Sequence, residues 1–348
     1  MGDTNRPNPT IIDVAAHAGV SVKTVSRVLT NAPNISAAMS ARVRASMEAL
    51  SFTPNLNARN LAGATDFVIA TPIASGGFHY SGYFSTVQAA ASLVCEKNHF
   101  GYMMQRYIEI SPDLKAEKVV DVLRQRRVAG ALLVPPLADW QGLPALLERH
   151  GIVSASISPE KPDSNRISVF IDERKAAFEM ASYLLDLGHR RIGFIGGPDA
   201  HGAARKRFDG YADALAARGL PVDPALIDKG TFIPPSGREA AARLLSQARR
   251  PTAIMACNDE MAAGTLQHAL SLGLRIPQDL SVTGFDDGPI IEFVWPKLTT
   301  VHQPIAEMTE AATRALIETI RQRSPLREPA RIEFAHKLVI RDSTGRPA

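Results

Sequence analysis

Apolar residues between Thr10 and Leu50 recur three or four positions apart in three short bursts. From Phe67 onward the pattern changes to short, continuous apolar runs separated by longer amphipathic stretches. The first pattern predicts three small helices, and the second predicts strands alternating with helices. In the first burst Val14, Ala15 and Ala18 form a narrow apolar stripe. Thr10 is placed to cap it with Asp13 three residues on, and Gly19 is suited to the left-handed turn that ends it. Val20 fills the corner. Ser21 then caps a second helix whose inner face is Val25, Val28 and Leu29. Two short helices joined at a glycine make a helix-turn-helix. A third helix follows from a Ser36 cap, with Val43, Met47 and Leu50 inward, and Pro54 blocks its continuation. Residues 55–61 make a helical stretch of under two turns, too short to stand alone in water without a partner.

Packing Val25 and Val28 inward leaves Val22, Lys23, Ser26 and Arg27 outward, on a helix without acids. Lys23 and Arg27 can donate to guanine O6 and N7 or to phosphate, and Val22 can touch a thymine methyl. Ser21, Thr24 and Ser26 are short donors at a helix N-terminus, where anions are favoured. Charge changes the picture in the same direction. Residues 1–62 hold six lysines and arginines against three acids, so they carry +3 of the chain's net +4, and the remaining 286 residues are nearly neutral. A basic unit on a neutral body points to a polyanion as its partner.

The body reads FVIATPI, GYMMQ, GALLVPP, VSASIS, ISVFID, RIGFIGG, TAIMACND and LSVTGFD as strands between helical patterns. Strands alternating with helices of 10–15 residues imply βαβ units and parallel sheets. There are too many for one mononucleotide-binding half, so two doubly wound lobes are expected. Ligands of such sheets bind beyond the carboxyl ends of the strands, which here face one another across a cleft. Polar groups stand where the runs end: Arg207 after the GGP turn, Asn258 and Asp259 after TAIMAC, Asp286 and Asp287 after LSVTGF, and Gln303 after LTTVH. Arginine, carboxylate and amide groups converging on a cleft suit a ligand with several hydroxyls. Asp259 and Asp287 fit better as helix caps or lobe braces. The stretch GGFHYSGYF adds aromatics that stack on sugar faces or pack within a lobe; Phe78 and Tyr83 are assigned to the ligand.

Two cysteines, Cys95 and Cys257, form no metal-ligand spacing and read as buried thiols in a reducing compartment. The N-terminus has no apolar signal region and no run of 18 apolar residues occurs, so a cytoplasmic location is expected. No metal or cofactor is called for. The nine histidines are scattered, and HExxH, GxSxG, Walker A and GxGxxG patterns are all missing, which argues against an enzyme. Asp286 and Asp287 do not make an acid pair, because adjacent residues at a strand end point to opposite sides.

In TIIDVAAHAGVSVKTVSRVLTN and PNLNARNLA the chain resembles the DNA-binding headpiece of the lactose/galactose repressor family of bacterial regulators. The resemblance runs on through RRVAGALLV, LGHRRIGFIGGP, RKRFDGY, ACNDEMAAG, DLSVTGFDD, LTTVHQP and LVIRDST. It implies an α/β fold: a helix-turn-helix headpiece plus a two-lobed, doubly wound core like that of periplasmic binding proteins. It further implies that Val22, Lys23 and Arg27 read bases while Thr10, Ser21, Thr24, Ser26 and Asn55 hold phosphates. Ala58 and Leu61 would lie on a hinge helix that pairs with its dimer mate in the minor groove, Leu61 wedging between base pairs. For the effector it implies Arg207 and Asp286 first, then Asn258 and Gln303, with Phe232 as an aromatic lining the cleft. Two departures mark the ligand site: Ser158 replaces a usual aspartate, and Glu173 replaces a usual asparagine. A third, Met39-Ser40, changes a DNA-backbone contact on the third helix.

The expected boundaries are residues 1–54 for the headpiece, 55–66 for the hinge and 67–343 for the core, with 344–348 as a tail. Lobe one is expected at about 67–170 and 303–328, and lobe two at about 171–302 and 329–343. No heptad extension follows KLVIRDS, so no tetramerising tail is expected. The whole reads as a homodimeric transcriptional regulator, a repressor of carbohydrate genes that binds a pseudo-palindromic operator and a sugar-like effector. The alternatives are a cytoplasmic solute-binding or sensing protein without an operator and, further off, an enzyme on the same architecture.

Overall fold

A computed structural model describes residues 9–29, 35–52, 68–74, 82–107, 116–322 and 331–348. The chain divides into two compact units, residues 1–65 and 66–348.

In the first unit α1 (Ile11–Ala18), α2 (Val22–Leu29) and α3 (Ala37–Ala49) enclose a small core. Val14, Ala15, Ala18, Val25, Val28 and Val43 are buried there, with Val20, Leu29, Met47 and Leu50 packed against them. Thr10 and Asp13 form a reciprocal capping box, and Gly19 adopts φ 63° to end α1. Ser21 Oγ accepts from Thr24 N at 3.1 Å, and Ser36 caps α3 through Met39 N. Phe52, which the periodicity did not single out, closes the core beside Leu50.

The second unit begins with β1 (Val68–Ala74), α4 (Gly82–Lys97), β2 (Gly101–Tyr107), α5 (Ala116–Gln125), β3 (Gly130–Leu133), α6 (Leu143–Arg149), β4 (Val153–Ile157) and β5 (Ile167–Phe170). These parallel strands form most of the lobe-one sheet. Both faces are buried, which explains the continuous apolar runs. Alternate residues of β3 show it: Ala131 and Leu133 pack with Val119, Leu123 and Leu147, while Leu132 faces the opposite cluster with Ile69, Val94 and Leu316.

Lobe two continues with α7 (Glu173–Asp186), β6 (Ile192–Gly196), α8 (Gly202–Ala216), β7 (Ile227–Lys229), α9 (Pro234–Leu245), β8 (Ala253–Ala256), α10 (Asp259–Ser271) and β9 (Ser281–Thr283). Its parallel sheet has the order β7-β6-β8-β9. Helices α9 and α10 approach so closely that a methyl at Gly264 would collide with the Pro234 carbonyl, which makes glycine obligatory there. After β10 (Thr300–His302) the chain returns to lobe one as α11 (Ile305–Gln322), which packs on α4 and β4.

The lobe boundary near the C-terminus differs from expectation. Residues 331–333 form β11, which pairs with β5 and completes the lobe-one sheet in the order β11-β5-β4-β3-β1-β2. Only then does the chain cross to lobe two as β12 (Lys337–Val339), antiparallel to β10. An edge strand with Arg331 and Glu333 exposed and only Ile332 turned toward the core carries too little apolar signal to be read from sequence. Three crossings therefore join the lobes, near residues 171, 303 and 335. No helix among the described residues is long and apolar enough to cross a membrane.

Candidate functional site

The headpiece presents the expected face. Val22, Lys23, Ser26 and Arg27 are exposed on α2, while Val25 and Val28 hold the helix to the core. Not every predicted phosphate donor is equally available. The Thr10 hydroxyl donates to Asp13 Oδ2 at 2.7 Å, and the Ser21 and Thr24 hydroxyls share a hydrogen bond at 2.9 Å. The bond from Thr10 also holds the Asp13 carboxyl below its usual range. Asn55, Ala58, Leu61 and Phe78 lie outside the described residues.

In the core, Tyr83, Ser158, Arg207, Phe232, Asn258 and Asp286 all line one cavity between the lobes. Gln303 stands directly behind it, its Nε2 donating to Asp286 Oδ1 at 2.6 Å. Arg207 is the centre of the site. Its Nε donates to Glu173 Oε2 at 2.8 Å, its Nη1 to the Cys257 carbonyl at 2.6 Å, and the same nitrogen lies 3.5 Å from Asp286 Oδ1. The guanidinium also stacks over Phe285, 3.7 Å from the ring centroid. Burial opposes its charge, and Glu173 and Asp286 outweigh that opposition, so the arginine is held firmly protonated.

The carboxylates respond in the opposite sense. Burial pushes Asp286 up to about 7, against the pull of Arg207 and of the Gln303 bond. Asp259 is raised well above the usual range by burial and by the field of Asp286, and Glu260 is raised by burial. Asp259 is a brace, accepting from Gly288 N and from the Thr300 hydroxyl, while Asn258 is the cap of α10 and accepts from Met261 N. Asn258 gives its amide protons to the Phe232 carbonyl and to Glu260, so it shapes the pocket from an occupied position. Asp287 points away from Asp286 and binds Arg341 and His302.

Sequence reasoning passed over His201 and Pro135, which also line the cavity, and named Phe84 in the aromatic stretch without assigning it to the ligand; it lines the cavity as well. His201 stacks on Phe232 at 4.6 Å, and burial together with Arg207 and Arg205 depresses its pKa to about 3, so the ring is neutral. The Phe232 ring occupies the space a side chain at Gly197 would need, which accounts for the second glycine of IGGP. Ser158, Phe232 and Asp286 all adopt positive φ, a concentration of backbone strain typical of binding sites. Several buried polar atoms have no full hydrogen bond within the protein: Tyr83 OH, Ser158 Oγ, Glu173 Oε1, His201 Nδ1 and Gln303 Oε1. Native interiors rarely leave such groups unpaired, and three of these residues, Tyr83, Ser158 and His201, line the cavity.

Two hydrogen bonds and an ion pair close the cleft. Asp139 of lobe one accepts from Gly202 N, the first amide of α8 in lobe two, at 2.8 Å. Glu260 of lobe two accepts from Gly82 N, the first amide of α4 in lobe one, at 2.7 Å. Each carboxylate thus caps a helix of the opposite lobe, where the helix dipole favours negative charge. Arg205 pairs with Glu160 beside them. The water-sized space between the lobes is about 40 Å³, room for a few waters and smaller than a sugar.

The model for bacterial regulatory proteins of the lacI family matches residues 10–55, and that for a periplasmic binding protein-like domain matches residues 181–344. The HTH-type transcriptional regulator DegA of Bacillus subtilis (strain 168) is 34% identical over 340 residues, 97% of this chain and 98% of that protein. The chain belongs to the lacI family of bacterial regulatory proteins. GalR of Escherichia coli (strain K12), another HTH-type transcriptional regulator of similar span, is 32% identical over 97% of this chain and 96% of its own length. Among solved structures, a lac repressor dimer bound to operator and the anti-inducer ONPF covers 97% of this chain and 100% of its own, with a TM-score of 0.77 and 26% identity. A transcriptional regulator CelR–cellobiose complex covers 96% and 99%, with a TM-score of 0.71 and 27% identity. As a lacI-family member the protein is a DNA-binding transcriptional regulator, and its relatives are regulators rather than enzymes.

Proposed function

We propose that the protein is a cytoplasmic homodimeric repressor of carbohydrate genes, switched by a small polyhydroxylated effector bound between its two lobes. One observation carries this reading. Arg207 and Asp286 meet in a cavity, with Gln303 bonded to Asp286 behind them, and its walls hold the Tyr83 and Ser158 hydroxyls and His201 Nδ1 without hydrogen-bond partners in the protein. Such groups are satisfied by a ligand that brings several hydrogen bonds of its own. Lys23 and Arg27 on the exposed face of α2 supply base and phosphate contacts, and two headpieces of a dimer read the two halves of a pseudo-palindromic operator.

The switch follows from linkage. An effector that holds the lobes closed, or props them open, changes how residues 55–61 emerge toward the DNA. The coupling should be about 1–3 kcal/mol and reciprocal, so operator must alter effector affinity by the same factor. Leu61→Ala should weaken operator binding and leave effector binding to the core intact. The test is a thermal-shift screen of mono- and disaccharides, their phosphates and purines, followed by a gel shift on operator obtained by in vitro selection. A ligand whose stabilisation disappears in Arg207→Ala and that changes operator affinity establishes the reading. A ligand that binds equally well to that variant places the effector elsewhere.

A further inference from the structure

The face of the lobe-one sheet that α5 and α6 cover changes character at β4. On β3 that face carries Ala131 and Leu133, buried in one cluster with Val119, Leu123 and Leu147. The next two strands place Ser156 in register with Leu133, and Ser168 in register with Ser156. A parallel sheet covered on both faces ordinarily presents large apolar residues at such positions. The two serines instead line a hollow of about 230 Å³, several times the space between the lobes. A cavity of roughly 150 Å³ accepts a benzene ring, so this one has room for a six-membered ring with its substituents.

The frame of the hollow is held from within the protein. Ser168 Oγ accepts from Asp163 N at 3.1 Å, which ties the loop after β4 to β5. Arg166 donates to Asp163 at 2.8 Å and to Glu148 of α6 at 3.2 Å. The acids in the wall are thereby met: Asp163 by Arg166, Glu160 by Arg205, and Asp139 by the backbone amides of Glu160 and Gly202. Lys161, at the rim, is exposed to water. The capacity that remains is uncharged. The Ser156 hydroxyl, 9% exposed, the Trp140 indole N–H and the Gln141 amide make no hydrogen bond among the described residues. A hydroxyl, a donor N–H and an amide match a neutral ligand with several hydroxyls of its own. The Trp140 ring adds an apolar surface for the C–H face of a sugar.

We infer that this hollow is a second ligand site, for an uncharged monosaccharide, and that its occupant acts on closure of the lobes. No residue lines both this hollow and the cavity of Tyr83 and Arg207. The link to closure lies in the wall itself. Asp139 and Glu160 line the hollow, and they are the residues through which lobe one holds Gly202 N and Arg205 of lobe two. A sugar packed against that wall fixes the lobe-one side of both contacts. The link rests on the reading that the headpiece senses closure, whereas the site stands without it.

The test uses the full-length protein with glucose, galactose, mannose, xylose and arabinose, and with glucuronate and glucose 6-phosphate as charged counterparts. The chain has two tryptophans, Trp140 and Trp295. One of the neutral sugars should change tryptophan emission saturably, and the change should vanish in Trp140→Phe. Ser156→Leu fills the hollow with an apolar side chain and should abolish the response. Gln141→Ala, at an exposed position, should weaken binding by roughly two- to tenfold, the loss of one neutral hydrogen bond, and it decides the matter if Ser156→Leu does not fold. In a gel shift on a selected operator the sugar should alter the affinity of the wild type and not that of Ser156→Leu. A sugar that binds Ser156→Leu and Gln141→Ala as well as it binds wild type overturns the inference and leaves the effector cleft standing. Silence from all five neutral sugars overturns it in the same way, and a charged counterpart that binds as tightly as glucose overturns the ligand class. Binding in the hollow that leaves operator affinity unchanged overturns the link to closure alone.

Discussion

Arg207 Nε donates to Glu173 Oε2 at 2.8 Å with both side chains almost wholly buried, and the same guanidinium lies 3.5 Å from Asp286. This pair links the first turn of α7 to the middle of α8 and sets the electrostatics of the whole cleft. Removing one partner of such a pair strands the other in a low-dielectric interior, which is worse than replacing both.

Arg207→Ala should therefore destabilise the core by about 3–5 kcal/mol, because Glu173 and Asp286 lose their counter-charge together. Glu173→Gln should cost much less, since Arg207 keeps Asp286 and the Cys257 carbonyl. Urea unfolding of the two variants measures the difference. Equal losses would mean that Arg207 acts by packing on Phe285 rather than by charge.

The raised carboxyl of Asp286 predicts a pH dependence with a definite sign. Its ordinary value is near 4 and its folded value is about 7, so between those limits the folded state holds more proton than the unfolded chain. The contribution is present at low pH and is lost as pH rises through about 7. Asp259 and Glu260, also raised, act in the same sense, while His201, depressed to about 3, works the other way below its ordinary range, so the wild-type curve mixes all of them. The difference between wild type and Asp286→Asn reports the aspartate together with the part of the Asp259 shift that it causes: the variant should gain stability relative to wild type as pH rises from about 4 to about 7. A difference independent of pH would show that Asp286 is ionised throughout.

The DNA-facing helix gives a prediction that separates base from backbone contacts. Arg27→Ala should cost about 1–3 kcal/mol on a selected operator if it reads a base, with relaxed preference at one position. If it holds phosphate, the loss should be uniform across sequences and the salt slope should fall by about one. Lys23→Ala is tested in the same way. Val25→Ser, by contrast, removes a fully buried side chain and should unfold the headpiece, abolishing binding to any DNA.

Much of this was legible in the sequence, and the parts that were not have a common cause. The headpiece was readable because capping and amphipathicity are local: Thr10, Asp13 and Gly19 do what their spacing requires. The cleft was readable because parallel strands end in it, which brought Arg207, Asn258, Asp286 and Gln303 together from four separate stretches. Contacts between distant residues left no local trace. Glu173 stood out as a departure from the family pattern, but its partnership with Arg207 depends on how α7 packs on α8. Asp139 reaches Gly202 across 63 positions, and His201 enters the pocket from a loop with no pattern of its own. The three-residue strand β11 gave too few positions to show its period.

The reciprocal clasp of Asp139 and Glu260 supplies a prediction about the switch itself. Asp139→Ala frees the first amide of α8, and Glu260→Ala frees that of α4, so both variants loosen the same closure from opposite lobes. Each variant removes a carboxylate that accepts across the cleft, a charged hydrogen bond worth about 1.5–3 kcal/mol, whereas the Arg205–Glu160 pair should matter far less. If closure of the cleft is what the headpiece senses, the two alanine variants must shift operator affinity in the same direction, by up to the 5–150-fold range of allosteric coupling. Fluorescence anisotropy on a selected operator, without any ligand, measures this directly. Shifts of opposite sign would mean that the two links act on different motions, and closure as a single two-state element would have to be abandoned.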